Sequence, residues 1–428
     1  MMPPSPDSVG QVQMTAVLEM VHAGAVSVST AESPLPDLPR MRRARLDRLQ
    51  HQMREQQIDA AVLLHGPNVT YATGFLPEAV DASHVIHQRA VAIVPVDGPA
   101  RLHAHLSPTS AAQQLEAVDG AALWPELDDD MPRVRRAIED AIGDLDGKRI
   151  AVDAITGAMD RAEILRGAEL IDATRVLGPA RLCKTADEVA CIERAQIINE
   201  QAMDVARARC VPGARRSEVA GALLAEFRRL DSDHNEIDPI FQVMPRRLAD
   251  DVRSNLGAAA FPTGIEDPTF AEGDLVWVDS GHGYEGYASD YGRTWIVGRD
   301  PSAEERACFD RWKSIMTATI ASIRPGATLA DVGRAAIDAN GGTPPWLPHF
   351  YVAHAVGLSS AEMPMVGSDL GAEFDEGFEL LEGMILVLEP VVWEDGVASY
   401  RAEEIAVVTA DGCRLLTGRP GYLPYEAP

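Results

Sequence analysis

The sequence predicts an α+β protein of two domains, a smaller α/β domain followed by a larger one that mixes helices with paired strands. Three observations carry this. The chain has 428 residues, more than one ordinary core accommodates. Up to about residue 178, short apolar runs alternate with helical stretches. Beyond it, apolar strand runs dominate and helices are interspersed, which suggests antiparallel pairing.

The elements follow in order. Residues 1–35 are Pro/Ser-rich at both ends and read as a tail or exchange arm, ordered only where docked. Residues 36–178 form the α/β domain. In it RMRRARLDRLQHQMREQQ is a charged amphipathic helix, IDAAVLLH a strand and GPNVTYATGF a turn. QRAVAIVPVDG, ARLHAHL and GKRIAVD are further strands. Residues 179–428 open on a helix with capping-box spacing, Thr185 and Glu188. Helices around 216–230 and 302–323 follow, with strands in DLVWVDSG, RTWIVG, MILVLEPVV and EEIAVVTADG.

Composition narrows the function. Apolar residues at 46% and charged residues at 24% are those of a soluble globular protein. A formal charge of −27 disfavours nucleic acid as a partner, because phosphates would be repelled. Only three lysines occur (Lys148, Lys184, Lys313), none in a Gly-rich loop, so nucleotide binding and lysine carbonyl chemistry lack support. Five widely spaced cysteines without a C-x-x-C motif fit a reduced compartment better than disulfides or a thiolate zinc site. No window is apolar enough to span a membrane, and the N-terminus does not read as a signal peptide, so the expected location is the cytoplasm.

The chemistry resides in acids placed where acids are expensive. In VDSGHGYEGYASDYGRT, Asp279 and Asp290 emerge from the apolar run LVWV into a Gly-rich hairpin. Glu389 interrupts MILVLEPVV, and Glu403 and Glu404 lead into an apolar strand. His354 lies in the small-residue context AHAVGL. A carboxylate in a buried strand needs a cation or a hydrogen-bond network to compensate it. Several such strands, with one imidazole, suit Mn²⁺, Fe²⁺, Co²⁺ or Zn²⁺ bound through oxygen-rich ligands.

The order D-x-G-(x)8-D, H-x-x-G-L, G-M-x-L-x-x-E-P and R-x-E-x5-T resembles the pita-bread metallohydrolases: Xaa-Pro aminopeptidases, prolidases and creatinases. The resemblance covers roughly residues 36–428 and implies a creatinase-like N-terminal domain before a pita-bread catalytic domain. It implies that Asp279 chelates one metal ion, that Asp290 and Glu403 bridge two, and that His354 and Glu389 complete the second ion's ligands. Two such ions activate water, and Glu389 could take its proton. Arg293, Thr294 and Arg401, in the matching D-x-x-R-T and R-x-E segments, would orient the ligands. Glu404 would face away from Glu403, as strand neighbours do. A homodimer acting on a small-molecule or short-peptide substrate is implied as well.

Two positions depart from the peptidases of that family. Their histidine seven residues after the metal histidine is Ala361 here, although Glu362 is retained, and their histidine about seventeen residues before the first aspartate is Pro262. Those imidazoles hold the scissile carbonyl and shuttle protons, so ordinary Xaa-Pro cleavage is in doubt. His349 and His282 could substitute, or could be structural or surface groups. His84, His87 and the retained Glu362 are candidates for substrate contact. His103 and His105 read as a solvated strand edge. The lead-in SPLPDLPRMRRARLDRL is similar to dimethylsulfoniopropionate lyases, which also lack those histidines but carry an extra aspartate where this chain has Gly281 or Ser280. The leading expectation is a dinuclear hydrolase of an amide or related C–N bond in a small, non-standard substrate. Metal-assisted elimination is the alternative, and a metal-poor binding protein the third.

Overall fold

A computed structural model of the chain describes residues 26–28, 35–76, 90–104, 115, 118–122, 131–247 and 267–418. It divides into two compact units, Pro36–Asp187 and Glu188–Pro428, the second including the segment Met1–Leu35. Within that segment β1 (Val26–Val28) is a short strand of the larger unit.

The smaller unit holds one six-stranded sheet. Its helix α1 (Leu38–Glu55) is capped by Asp37, whose side chain accepts from the Arg40 N–H, and its apolar stripe includes Met41, Leu46, Leu49 and Met53. The strands are β2 (Ala60–Leu63), β3 (Ala90–Pro95), β4 (Ala100–Ala104), β5 (Val118–Ala122), β6 (Arg149–Val152) and β7 (Glu169–Asp172). Their spatial order is β5-β4-β3-β2-β6-β7, with β2–β3 and β3–β4 antiparallel and the other pairs parallel.

One local expectation is overturned here. GPNVTYATGF is not a turn: Gly66–Thr73 form helix α2. Pro67 sits in the first turn, where no backbone N–H is missed, and Gly74 ends the helix at φ 80°. The residues that punctuate turns are the same ones that start and stop helices. Helices α3 (Met131–Ile142), α4 (Gly157–Arg161) and α5 (Thr174–Leu182) are also in the unit, and His84, His87 and His105 lie outside the described residues.

The larger unit begins as helix α6 (Ala186–Arg209), followed by α7 (Arg216–Arg229). Strand β8 (Asn235–Val243) pairs with β9 (Leu275–Tyr284), which returns through β10 (Tyr287–Ala288) into β11 (Tyr291–Ile296). β9 is buried along nearly its whole length, which explains why it reads as a continuous apolar run rather than an alternating one. Phe227, Val219 and Leu223 of α7 pack with Phe241, Val278 and Trp295 against this sheet. Helices α8 (Ala303–Ser322) and α9 (Leu329–Ala339) both start with capping boxes, Ser302 with Glu305 and Thr328 with Asp331.

The second sheet contains β12 (Ala353–Ala355) and β13 (Glu362–Val366), then, after the short helix α10 (Ala372–Gly377), β14 (Ile385–Leu388). A two-stranded ribbon, β15 (Val391–Glu394) with β16 (Ala398–Arg401), precedes β17 (Glu404–Thr409) and β18 (Gly412–Leu415). The order is β1-β18-β17-β14-β12-β13, so the edge of β18 is covered by parallel pairing with β1. The run MILVLEPVV is therefore two strands, broken at Glu389–Pro390.

Candidate metal centre

Two of the ligand-type side chains, Asp279 and His354, lie within strands, and the other three sit just before or after one. Asp279 lies on β9 directly opposite Gly292 of β11, and Asp290 comes just before β11 begins. His354 is on β12, Glu389 follows β14, and Glu403 precedes β17. Pairing of β14 with both β12 and β17 brings the last three together, with His354 opposite Val387 and Leu388 opposite Glu404. The Glu403 N–H donates to the Gly292 carbonyl at 3.0 Å, which ties the hairpin to the second sheet at the level of the acids.

The result is a buried acid cluster. Asp279, Asp290, His354, Glu389 and Glu403 are all buried, and ligand atoms of Asp279, Asp290 and Glu403 lie within 4.8 Å of one another. His354 Nε2 is 3.3 Å from Asp290 Oδ2 and 3.3 Å from Glu389 Oε1. Its Nδ1–H donates to the Ala355 carbonyl at 3.0 Å, which leaves Nε2 as the nitrogen facing the acids.

Arg401 divides the carboxylate oxygens into two sets. It donates to Asp279 Oδ2 at 3.0 Å, to Glu389 Oε2 at 2.6 Å, and to Glu403 Oε1. Asp279 Oδ1 and Glu403 Oε2 are buried without a hydrogen-bond partner among the described residues. One oxygen of each acid thus serves the guanidinium, and the other is left for something else. Four carboxylates facing one guanidinium leave an uncompensated negative charge that burial makes costly. Burial, then Asp279 and Glu389, push Asp290 well above the usual carboxylate range. Burial raises Glu403 too, with Arg401 opposing and Asp279, Asp290 and Glu389 adding. Burial alone would pull Arg401 down, yet Glu403, Asp279 and Glu389 outweigh it and raise its pKa. Oxygen atoms without donors, a neutralisable charge and one imidazole fit a divalent cation.

Behind the acids, Arg293 donates to the Glu403 carbonyl at 2.7 Å and the Gly292 carbonyl at 2.8 Å, and its guanidinium lies 3.9 Å over the Tyr291 ring. Its other arm reaches Glu404 Oε1 at 3.3 Å. Glu404 is fully buried there, paired with Arg293 rather than grouped with Glu403. The Thr294 hydroxyl donates to the Arg401 carbonyl at 2.6 Å and accepts from the Arg401 N–H at 2.9 Å. Arg293 and Thr294 hold main chain, whereas Arg401 touches the carboxylates themselves.

The remaining histidines are placed elsewhere. His349 is exposed and pairs with Asp369 Oδ2 at 2.9 Å. His282 is fully buried between the carbonyls of Ala195 (2.8 Å) and Gly283 (3.2 Å), its ring against Phe227. Burial brings its pKa down to about 4, the two carbonyls opposing, which makes it a neutral structural imidazole. Glu362 accepts from the Leu358 N–H at 2.9 Å and so braces the loop that follows His354. A residue the sequence pattern did not single out is Tyr351, whose ring meets the His354 ring edge-on at 5.2 Å. Burial, then Glu389 and Asp290, raise its pKa, so the phenol keeps its proton.

The family described as Metallopeptidase family M24 matches residues 190–410, which takes in every ligand-type side chain above. The chain belongs to that family. The Creatinase/Prolidase N-terminal domain matches residues 45–183. Among relatives, the Xaa-Pro dipeptidase of Pyrococcus horikoshii is 29% identical over 245 residues, 56% of this chain and 64% of that protein. The Xaa-Pro dipeptidase of Pyrococcus furiosus gives 29% over 245 residues and 65% of its length. The match therefore spans less than two thirds of either relative. The M24 member also shares its fold with the Xaa-Pro dipeptidase from Bacillus anthracis (TM-score 0.70, 22% identity, 89% of this chain and 98% of the other). Dipeptidase PepE from Mycobacterium ulcerans gives a TM-score of 0.69 at 24% identity, over 91% and 99%. The pita-bread fold, with its creatinase-like N-terminal domain, is thus established.

Proposed function

We propose that this M24 member is a metal-dependent hydrolase that adds water across an amide or related C–N bond of a small substrate, with Asp279, Asp290, His354, Glu389 and Glu403 holding two divalent ions. The observation that carries the reading is the set of buried carboxylate oxygens left without donors after Arg401 has taken its share. When bound, such ions supply Lewis acidity and lower the pKa of water.

The chain's own residues supply the rest. Arg401 fixes the rotamers of three acids at once, so their free oxygens converge without help from substrate. Arg293 and Thr294 keep the strands of Glu403 and Arg401 in register. Glu389, with one oxygen on Arg401 and the other toward His354, is the group positioned to receive a proton from the attacking water. Ala361 leaves the loop after His354 without an imidazole, which supports a non-standard substrate over an ordinary Xaa-Pro dipeptide.

The test is a panel of dipeptides, N-acetyl amino acids, creatine and dimethylsulfoniopropionate given to the manganese-loaded protein in ¹⁸O-labelled water. Hydrolysis puts one labelled oxygen into one of the products, the new carboxyl group from an amide or urea from creatine. A product free of label would replace hydrolysis with elimination, and full turnover by metal-stripped protein would remove the metal from the reaction.

A further inference from the structure

The hydrolase reading requires a hydrogen-bond donor for the substrate's carbonyl oxygen, and the two positions that carry such donors in similar peptidases are Pro262 and Ala361. Neither side chain can donate. Among the described residues, the charged and hydroxyl donors around the acids are committed, and the indole N–H groups of Trp277 and Trp393, which have no partner there, are buried. Arg401 serves three carboxylates, Arg293 serves carbonyls and Glu404, and the Thr294 hydroxyl serves the Arg401 main chain. His349 is exposed on Asp369, and both nitrogens of His282 face carbonyls.

Tyr351 is different. Its ring is stacked on Phe350 at 4.2 Å and lies edge-on to His354 at 5.2 Å, so two contacts fix its direction beside the centre. Its body belongs to an apolar cluster with Leu347, Phe350, Trp277 and Trp393. The residue is only partly buried, and its hydroxyl makes no hydrogen bond among the described residues. A rigid aromatic stem with an uncommitted O–H next to a ligand imidazole is what a substrate-facing donor requires.

We infer that Tyr351 is a substrate-contacting residue whose phenolic O–H donates to the carbonyl oxygen of the bond to be cleaved. It takes over the task of the two imidazoles that this chain lacks. The inference rests on the hydrolase reading, and the experiment separates the two.

For the panel amide that wild-type protein turns over, two inert isosteres are compared by calorimetry on the manganese-loaded chain. A ketomethylene isostere keeps the carbonyl oxygen, whereas a reduced isostere replaces the carbonyl with CH₂. Tyr351→Phe preserves the ring and its packing, and metal analysis confirms unchanged manganese content. The expected result is ketomethylene binding weakened about tenfold and reduced-isostere binding unchanged. In turnover, kcat/KM falls about a hundredfold, with KM raised about as much as ketomethylene binding weakens and the rest of the loss in kcat. Equal weakening of both isosteres, or no weakening of either, overturns the role of Tyr351 while the hydrolase reading stands. If wild-type protein hydrolyses no panel amide, the hydrolase reading falls and takes this assignment with it.

Discussion

Gly292→Ala is the most economical probe of the acid cluster, because it adds one methyl group and no charge. Gly292 lies opposite Asp279, and a Cβ there would meet Glu403 Cδ at 2.7 Å and both Glu403 carboxylate oxygens at 2.9 Å. Carbon atoms rest about 3.5–4.0 Å apart, so the carboxylate must retreat by roughly 1 Å. The residue has no positive φ, so alanine fits the backbone and the penalty is purely steric. Glu403 cannot move alone, since Arg401 joins it to Glu389 and Asp279. Metal ligation tolerates displacements of only about 0.2 Å. Disturbing a ligand's support typically costs about 10–100-fold in affinity, or about 1.4–2.8 kcal/mol. Overpacking by itself destabilises the fold by about 1–3 kcal/mol. Urea denaturation in chelator measures that second effect, and calorimetric titration with Mn²⁺ the first. Gly333→Ala, whose nearest neighbour would be Val366 Cγ1 at 3.6 Å, serves as the control. Wild-type Mn²⁺ affinity in folded Gly292→Ala would refute the placement of Glu403 as a ligand.

Three further outcomes are expected. Asp290→Ala abolishes metal occupancy and turnover together; full activity in metal-free Asp290→Ala would contradict the mechanism. Arg401→Met leaves Asp279, Glu389 and Glu403 facing one another without their cation, so in chelator it loses about 3–5 kcal/mol of stability by urea denaturation. Stability unchanged from wild type would show that the guanidinium is dispensable. His282, with a folded pKa depressed to about 4, binds its proton more readily once unfolded. Its contribution is present above about pH 6.5 and is lost as pH falls toward 4, up to about 3 kcal/mol in all. His103, which lies on interior strand β4 rather than on the solvated edge expected from sequence, is lowered to about 4 by burial and adds loss of the same sign. The pH dependence of unfolding should therefore be shallower in His282→Gln, and an unchanged slope would count against the neutral buried imidazole.

Local sequence was a good guide wherever one residue's chemistry decides the outcome. Apolar runs marked β9, β11, β14 and β17, and acids interrupting them marked Asp279, Glu389 and Glu403 as groups needing compensation. Where a residue serves two structural purposes, local reading was weaker: Pro67 and Gly74 bound helix α2 rather than a turn. The break at Glu389–Pro390 was invisible for a related reason, since composition alone does not separate one long buried strand from two short ones.

Period-two alternation along a strand is a local rule, and it is enough to send Glu403 and Glu404 to opposite faces. Which oxygen of each acid meets Arg401 and which is left without a donor depends instead on β12, β14 and β17 pairing in one sheet while β9 and β16 bring Asp279 and Arg401 to it from other parts of the chain. The same holds for Tyr351, ordinary in its own stretch of sequence and notable only because stacking on Phe350 leaves its hydroxyl uncommitted beside His354. Residue type limits what a side chain can donate, accept or neutralise. Packing decides which of those capacities are already spent.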